Sequence, residues 1–318
     1  MSGPIEPAPA RASFARLWSG ELGYAHAAVA VAGAVLAGWA VEIARGGAPL
    51  SPPAWPVNGA LLAFFAMWIL LLARMPGRVV PWLGGVPFAL MTMLAVGLLG
   101  AAGGVIPQSA DDAPAWARAA GLDHVFQGAP FAVALLLLLT NLGLAAARKI
   151  RTLGARAWFF SLNHIGLWVA LACAAFGAGD MIRARMVIAE GAAEAMVVDA
   201  AGRHGYLPFG ILLQRFLVEH YPAPPGTAAA PKKFTAEITV LEPGKPAEEA
   251  RIEVNKPLRR AGWTLYITNY ELAADGMADQ CLIEAVRDPW LPGVYAGLMM
   301  MLGGAAAMLF RSPFDLRT

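Results

Sequence analysis

The sequence predicts an α-helical integral membrane protein with six transmembrane helices and a small extracytoplasmic all-β domain inserted before the last of them. Three observations predict it. Of 318 residues, 58% are hydrophobic and 14% charged, an apolar share beyond that of an ordinary soluble domain. Six apolar stretches approach or reach the roughly 17 to 25 residues that cross a bilayer. Between the fifth and sixth lies one long polar segment, Asp180 to Leu291, in which the apolar residues alternate with period two.

The spans are Leu22 to Ile43, Val57 to Ala73, Pro87 to Ile106, Pro130 to Ala147, Ala157 to Ala178 and Pro292 to Phe310. Arg11 and Arg16 precede the first, as in a secretory leader. Its apolar run is longer than a leader's, and no small-residue cleavage site precedes Glu42 and Arg45, so it reads as a retained helix behind a tail of residues 1–21. The second span is the shortest. Pro87 and Gly103-Gly104 bound the third, where an interrupted backbone is most easily satisfied. Asn141 in LLLLLTNLGL reads as a polar link between helices.

Cytoplasmic flanks retain Lys and Arg during insertion. With the N-terminus inside, the inner flanks hold Arg11, Arg16, Arg74, Arg78, Arg148, Lys149, Arg151, Arg156, Arg311 and Arg317, against Arg45 and Arg118 outside, ten to two. Both termini are then cytoplasmic and the polar segment extracytoplasmic.

Within that segment, from about Met186 onward, polar residues alternate with Phe234, Ala236, Ile238 and Val240, with Ile252 and Val254, with Trp263, Leu265 and Ile267, and with Cys281, Ile283 and Ala285. About seven short strands, punctuated by PAPPGTAAAP after Tyr221, by EPGKP and by Asp275-Gly276, predict an antiparallel sandwich or open barrel. In IEVNKPLRRAGWTLYITNY, Pro257 breaks one strand and Gly262 permits the turn into the next, with Trp263, Leu265 and Ile267 facing the core.

Several function classes drop out. A net charge of +2 with no basic run interleaved with aromatics gives no nucleic-acid signal. Cys173 and Cys281 form no C-x-x-C pair, which argues against thiol–disulfide carrier chemistry. Metal-ligand spacing, a phosphate loop and a nucleophile elbow are missing from the polar segment. His204 and His220 read there as surface or structural residues.

His164 is the exception to a plain apolar reading, since an ionisable residue inside a span is rare and usually functional. Phe160, His164 and Trp168 share one face, extended by Leu171, while Gly166, Ala170, Ala174 and Gly177 form a small-residue face for close helix packing. About eight residues past Arg156, His164 lies roughly 12 Å along the helix from that charge, near the inner leaflet. An imidazole there needs a covering partner, and a porphyrin iron supplies one. His26 sits at a comparable depth in the first span. It reads either as an interfacial residue beside Arg16 and Tyr24 or as a second axial ligand pairing with His164 in a b-type haem site. His124, beside Asp123 at the start of the fourth span, reads as a solvated loop or cap residue.

Taken in order, GGVIPQ, LLLLLTNLGLAAARK, LNHIGLWVALACAAFGAG, LPFGILLQRFLVEHYP, KKFTAEITV, IEVNKPLRRAGWTLYITNYE and RDPWLPGVYAGLMMMLGG resemble the ResB/CcsB family of System II cytochrome c biogenesis, over about Pro87 to Phe310. The resemblance implies two additional transmembrane helices in 22–86, a three-helix family core in 87–179, the β domain in 180–291, and a last helix with cytoplasmic tail in 292–318. It implies a subunit in the bacterial cytoplasmic membrane that works with a CcsA/ResC-like partner to carry haem b from the inner leaflet to apocytochrome c. Such a chain is an accessory rather than catalytic part of a cytochrome c haem lyase. His164 falls where the family carries a haem-ligating histidine, with Phe160 and Trp168 as candidate packing for the macrocycle and His26 as a possible second ligand. Alternatives are an electron-transfer b-type cytochrome using His26 and His164, and a scaffold that binds no haem. Departures from the family pattern are the two extra helices, a shorter outer domain and Ala129-Pro130 in place of an aromatic pair.

Overall fold

A computed structural model describes residues 22–109, 111–153, 158–222, 230–272 and 278–309. The predicted N-terminal tail with Arg11 and Arg16, the charges Arg156, Arg311 and Arg317, the Asp275-Gly276 turn and most of the PAPPGTAAAP loop lie outside them. The chain divides into two compact units, one ending at Gly179 and resuming at Leu291, the other Asp180–Trp290.

The helical unit contains α1 (Tyr24–Ala44), α2 (Val57–Leu72), the single-turn α3 (Val79–Leu83), α4 (Val86–Val105), the short α5 (Ala115–Ala119), α6 (Ala129–Leu153), α7 (Trp158–Gly177) and α8 (Leu291–Leu309). Five of them, α1, α4, α6, α7 and α8, are long and apolar enough to cross a membrane; α2, with 16 residues, falls short of that length. Polar side chains tie both ends of α2 to its neighbours. Asn58 donates to the Phe176 carbonyl at the end of α7 at 2.9 Å, and Arg151 of α6 donates to the Ala73 carbonyl at the other end.

Asn141 is buried and donates to the carbonyls of Leu83 and Gly85, at 2.6 and 3.1 Å. It satisfies the backbone where α3 stops and α4 begins, which is why an amide is tolerated in that leucine run. Gly84 allows the close approach, since a Cβ there would lie 3.0 Å from the Leu144 Cβ.

The tightest seam joins α7 and α8. A Cβ at Gly166 would lie 2.5 Å from the Met301 nitrogen, and one at Gly297 2.5 Å from the Ala170 nitrogen and the Gly166 oxygen. Backbone contact at this range is the geometry that small residues at four-residue spacing permit, here Gly166/Ala170 against Gly293/Gly297. Of the predicted small-residue face, Gly166, Ala170 and Gly177 are buried, whereas Ala174 is exposed. Asn163 adds a hydrogen bond to the Met301 carbonyl at 3.1 Å.

The second unit is one antiparallel sheet of eight strands: β1 (Ile182–Ala189), β2 (Ala193–Asp199), β3 (His204–His220), β4 (Pro231–Leu241), β5 (Glu248–Glu253), β6 (Leu258–Arg260), β7 (Trp263–Leu272) and β8 (Ala278–Arg287), in the order β5-β4-β3-β2-β1-β8-β7-β6. Its two end strands are consecutive in sequence, and the turn between them is closed by paired Glu253 and Lys256 backbone hydrogen bonds. The sheet therefore curls into an open barrel rather than forming a sandwich. Strand number and onset differ from expectation. β6 is only three residues, too short to show a period, and Arg183 and Arg185 flank the buried Ala184, Met186 and Ile188 of β1, which starts earlier than Met186. Val254 is 45% exposed, because Asn255 beside it takes a left-handed φ of 65° in the turn.

The β6–β7 hairpin follows the predicted logic. Arg260 pairs with Trp263 across Ala261 and Gly262, both at positive φ, the conformation that suits a two-residue hairpin turn. Trp263 is 7% exposed and packs in the core with Leu265, Ile283 and Ile252. Trp263→Ala is expected to destabilise this unit by about 3 to 5 kcal/mol, read as a lowered unfolding midpoint of the full chain; an unchanged midpoint would place the ring outside the core.

Surface carboxylates on this sheet titrate low. Hydrogen bonds from Lys245 and then Arg260 hold Glu242 below the usual carboxylate range, and those from Lys233 and Lys256 do the same for Glu253. A depressed folded-state value means stability that is complete above the ordinary glutamate range and lost as pH falls through the lowered value. Acid unfolding of the β unit is therefore expected, and Glu242→Gln should flatten its acid limb, as followed by circular dichroism against pH; an unaltered profile would remove Glu242 from the account. Arg260 is committed to Glu242 and to Glu248, the latter at 2.8 Å. Cys281 is buried in the core, and burial, aided by Glu190, pushes its thiol up to about 12, far from a reactive thiolate.

Candidate functional site

The sequence of α7 is apolar apart from Ser161, Asn163 and His164, so the helix forms by default and His164 is carried into it. His164 lies half-buried about two turns from the first residue of the helix. Its Nδ1 is 2.9 Å from the Phe160 carbonyl one turn back. A carbonyl only accepts, so Nδ1 carries the hydrogen, and in the neutral ring the lone pair sits on Nε2. Histidines that ligate metals are commonly oriented in this way, with one nitrogen donating to a backbone carbonyl and the other free for the metal. Phe160 stacks on the imidazole with centroids 3.8 Å apart and planes at 23°, fixing the ring. From the end of α6, Lys149 Nζ lies 5.6 Å from the Phe160 centroid, within cation–π range.

The predicted aromatic stripe divides. Phe160 and His164 stay together, whereas Trp168 turns into the bundle. Its ring is parallel to Phe65 of α2, 6.4 Å away at 12°, and it packs on the cluster of Ile69, Ala73 and Leu144. Gly143 makes room for it, since a Cβ there would lie 3.2 Å from Trp168 Nε1. Gly166 and Ala170, which form the seam with α8, lie on the far side of the helix from His164. The imidazole is thus outside the main packing seam, and a planar ligand that takes Nε2 fits the donor present. Phe160 backs the imidazole, and Trp168 serves as core.

His26 is differently committed. Its Nδ1 accepts the Gly23 N–H at 3.1 Å, capping the start of α1. An accepting Nδ1 places the hydrogen of the neutral ring on Nε2, so the one ring lone pair is the one engaged by Gly23. The helix of His26 packs chiefly on α4 and α6, while that of His164 packs chiefly on α8 and α6. His204 and His220 stand exposed at the two ends of β3.

Two features escaped the sequence reading. One is Lys149 above Phe160, which no spacing rule joins to His164 across two helices. The other is His124, which is not a solvated loop residue: its side chain is 12% exposed and lies between two carboxylates, Asp123 and the distant Glu42.

Residues 154–285 match the ResB-like family model. Over 113 residues, 36% of this chain and 24% of the relative, the sequence is 34% identical to cytochrome c biogenesis protein CcsB of Synechococcus sp. (strain CC9311). Over 114 residues, with the same two coverages, it is 31% identical to the CcsB protein of Prochlorococcus marinus (strain MIT 9313). The chain thus spans about a quarter of the length of the curated relatives it matches. Among solved structures, the cytochrome c haem lyase CcmF aligns over 91% of this chain and 46% of its own, at 14% identity and a TM-score of 0.35, below the level of a shared fold. The matched segment contains His164, its aromatic neighbours and nearly the whole β sheet, and over this stretch the chain is similar to the ResB-like family.

Proposed function

We propose that this chain is a membrane subunit of a cytochrome c biogenesis complex, in which His164 offers Nε2 to haem iron as haem passes from the inner leaflet toward apocytochrome c. The observation that carries the reading is the His164 Nδ1 to Phe160 carbonyl contact, which presents Nε2 as a ligand inside a ResB-like segment. Bound haem would supply an iron that accepts a nitrogen ligand, which His164 would hold through Nε2, and a flat apolar face. Phe160 fixes the imidazole plane, and the Phe160 carbonyl holds the hydrogen on Nδ1 so that the Nε2 lone pair points to the ligand. A CcsA/ResC-like partner provides the remaining coordination and the haem-attachment chemistry in this reading, which makes the chain an accessory subunit handling haem b.

The same reading counts six crossings, with α2 included. Asn58 and Ala73 engage neighbours at opposite ends of α7 and α6, so α2 extends from one end of the bundle to the other, and the connections at Ala73 and Arg74 complete its length. Arg74, Arg78, Arg148, Lys149 and Arg151 gather at one end, against Arg45 and Arg118 at the other. Retention of positive charge favours a cytoplasmic location for the first end and, in this reading, an extracytoplasmic β unit at the bacterial inner membrane.

The test is recovery of the tagged chain from its native membrane, with absorbance spectra and partner identification on one sample. Haem in the complex that is lost with His164→Ala supports the reading. Stable six-coordinate haem in the isolated chain would replace it with an intramolecular pair, and no haem even in the complex would leave only a scaffold.

A further inference from the structure

At the opposite end of α6 from Lys149, three ionisable groups are packed together. Glu42, in the last turn of α1, is 2% exposed. Its Oε1 lies 2.6 Å from His124 Nε2, and its Oε2 accepts the N–H of Ala129, the first residue of α6, also at 2.6 Å. His124 Nδ1 in turn lies 2.8 Å from Asp123 Oδ1. Gly121, at a φ of +66°, presses against this group, since a Cβ there would lie 3.3 Å from Glu42 Cγ. Gln108 closes the same loop, accepting from the Val125 N–H and donating to the Leu122 carbonyl.

Each of the two imidazole–carboxylate contacts requires a hydrogen between nitrogen and oxygen. Three groups must therefore hold two protons, either as an imidazolium between two carboxylates or as a neutral imidazole with one carboxyl protonated. Removing one proton sets a ring lone pair against a carboxylate oxygen at hydrogen-bond distance, with little water to screen the repulsion. The other charged groups on these segments, Arg45, Asp111, Asp112 and Arg118, are exposed, and the first turn of α6 contributes no acid.

We infer that Glu42, His124 and Asp123 form a proton-binding site whose occupancy latches α1 and the segment 111–128 onto the start of α6. The site lies outside the ResB-like segment and stands independently of the haem reading. Both contacts hold only while two protons are in place, so withdrawing one breaks a contact and opens the latch.

The test is the unfolding midpoint of the full chain in detergent as a function of pH, for wild type, His124→Gln, Glu42→Gln and Asp123→Asn. Wild type should lose several degrees on the alkaline side. In Asp123→Asn the amide can turn to donate to Nδ1, so a neutral imidazole satisfies both contacts with one proton fewer, and the alkaline loss should flatten while the protein stays folded. The His124→Gln and Glu42→Gln losses should be less than additive in the double variant. If Asp123→Asn keeps the wild-type pH profile, the contacts are structural and the proton site is refuted, even if His124→Gln fails to fold.

Discussion

His164→Gln is expected, on the proposed ligand role, to abolish cytochrome c maturation while leaving the amount of this protein in the membrane unchanged. Glutamine can still donate an amide hydrogen toward the Phe160 carbonyl and has similar reach, yet an amide is a poor ligand for haem iron. The side chain at this position is half-buried and outside the α7–α8 seam. A change here should therefore shift stability by no more than about 1 kcal/mol. Haem-stained gels of membrane c-type cytochromes, set beside an immunoblot of the chain, give the readout. Normal cytochrome levels in His164→Gln would refute the ligand role. Partial recovery of His164→Ala by added imidazole would separate the missing nitrogen from any defect in packing.

Gly297→Leu is expected to be among the most damaging single changes to the fold. Overpacking a core costs about 1 to 3 kcal/mol when side chains can yield. Here the obstacles are the Ala170 nitrogen and the Gly166 oxygen, each 2.5 Å from the position a Cβ would take. Backbone cannot rotate aside, so α7 and α8 must separate or slide. The loss should exceed the upper end of that range and also break the Asn163 to Met301 hydrogen bond. Gly303 is a control on the same helix, with no neighbour nearer than Leu162 Cδ2 at 3.9 Å. Thermal midpoints in detergent should rank Gly303→Leu near wild type, Gly297→Ala lower and Gly297→Leu lowest. A wild-type midpoint for Gly297→Leu would mean that the seam does not hold the two helices.

The sequence made the helices legible because a membrane-crossing helix is written as one long apolar run. Trp158–Gly177 and Leu291–Leu309 are helical within the predicted fifth and sixth spans, whose predicted bounds Ala157 and Phe310 lie outside the described residues. The alternating strands β4, β7 and β8 were equally visible, since burial on one face of a sheet imposes period two. β3 was not, because Pro208, Gly205 and Gly210 dilute its alternation although Leu207, Phe209, Ile211 and Leu213 are all buried. The site was legible only in part. His164 stood out because charge is rare in an apolar helix, but the direction of Trp168 depends on Phe65, more than a hundred residues earlier. The pairing of Glu42 with His124 is likewise invisible, because each residue alone looks like an ordinary helix-end polar group.

The seam between α7 and α8 also bears on the order in which the protein is made. The two helices most closely fitted to each other are separated in the chain by the whole of Asp180–Trp290. At about 5 to 20 residues per second, synthesis of that stretch takes roughly 6 to 22 s. Throughout that interval α7 exists without the helix that will cover Gly166, Ala170 and the Asn163 amide. A chaperone or a neighbouring subunit that shields a glycine-faced helix would act in this window, before α8 emerges. Pausing translation within β4 should lengthen the exposure and increase crosslinking from position 166 to whatever occupies the groove first.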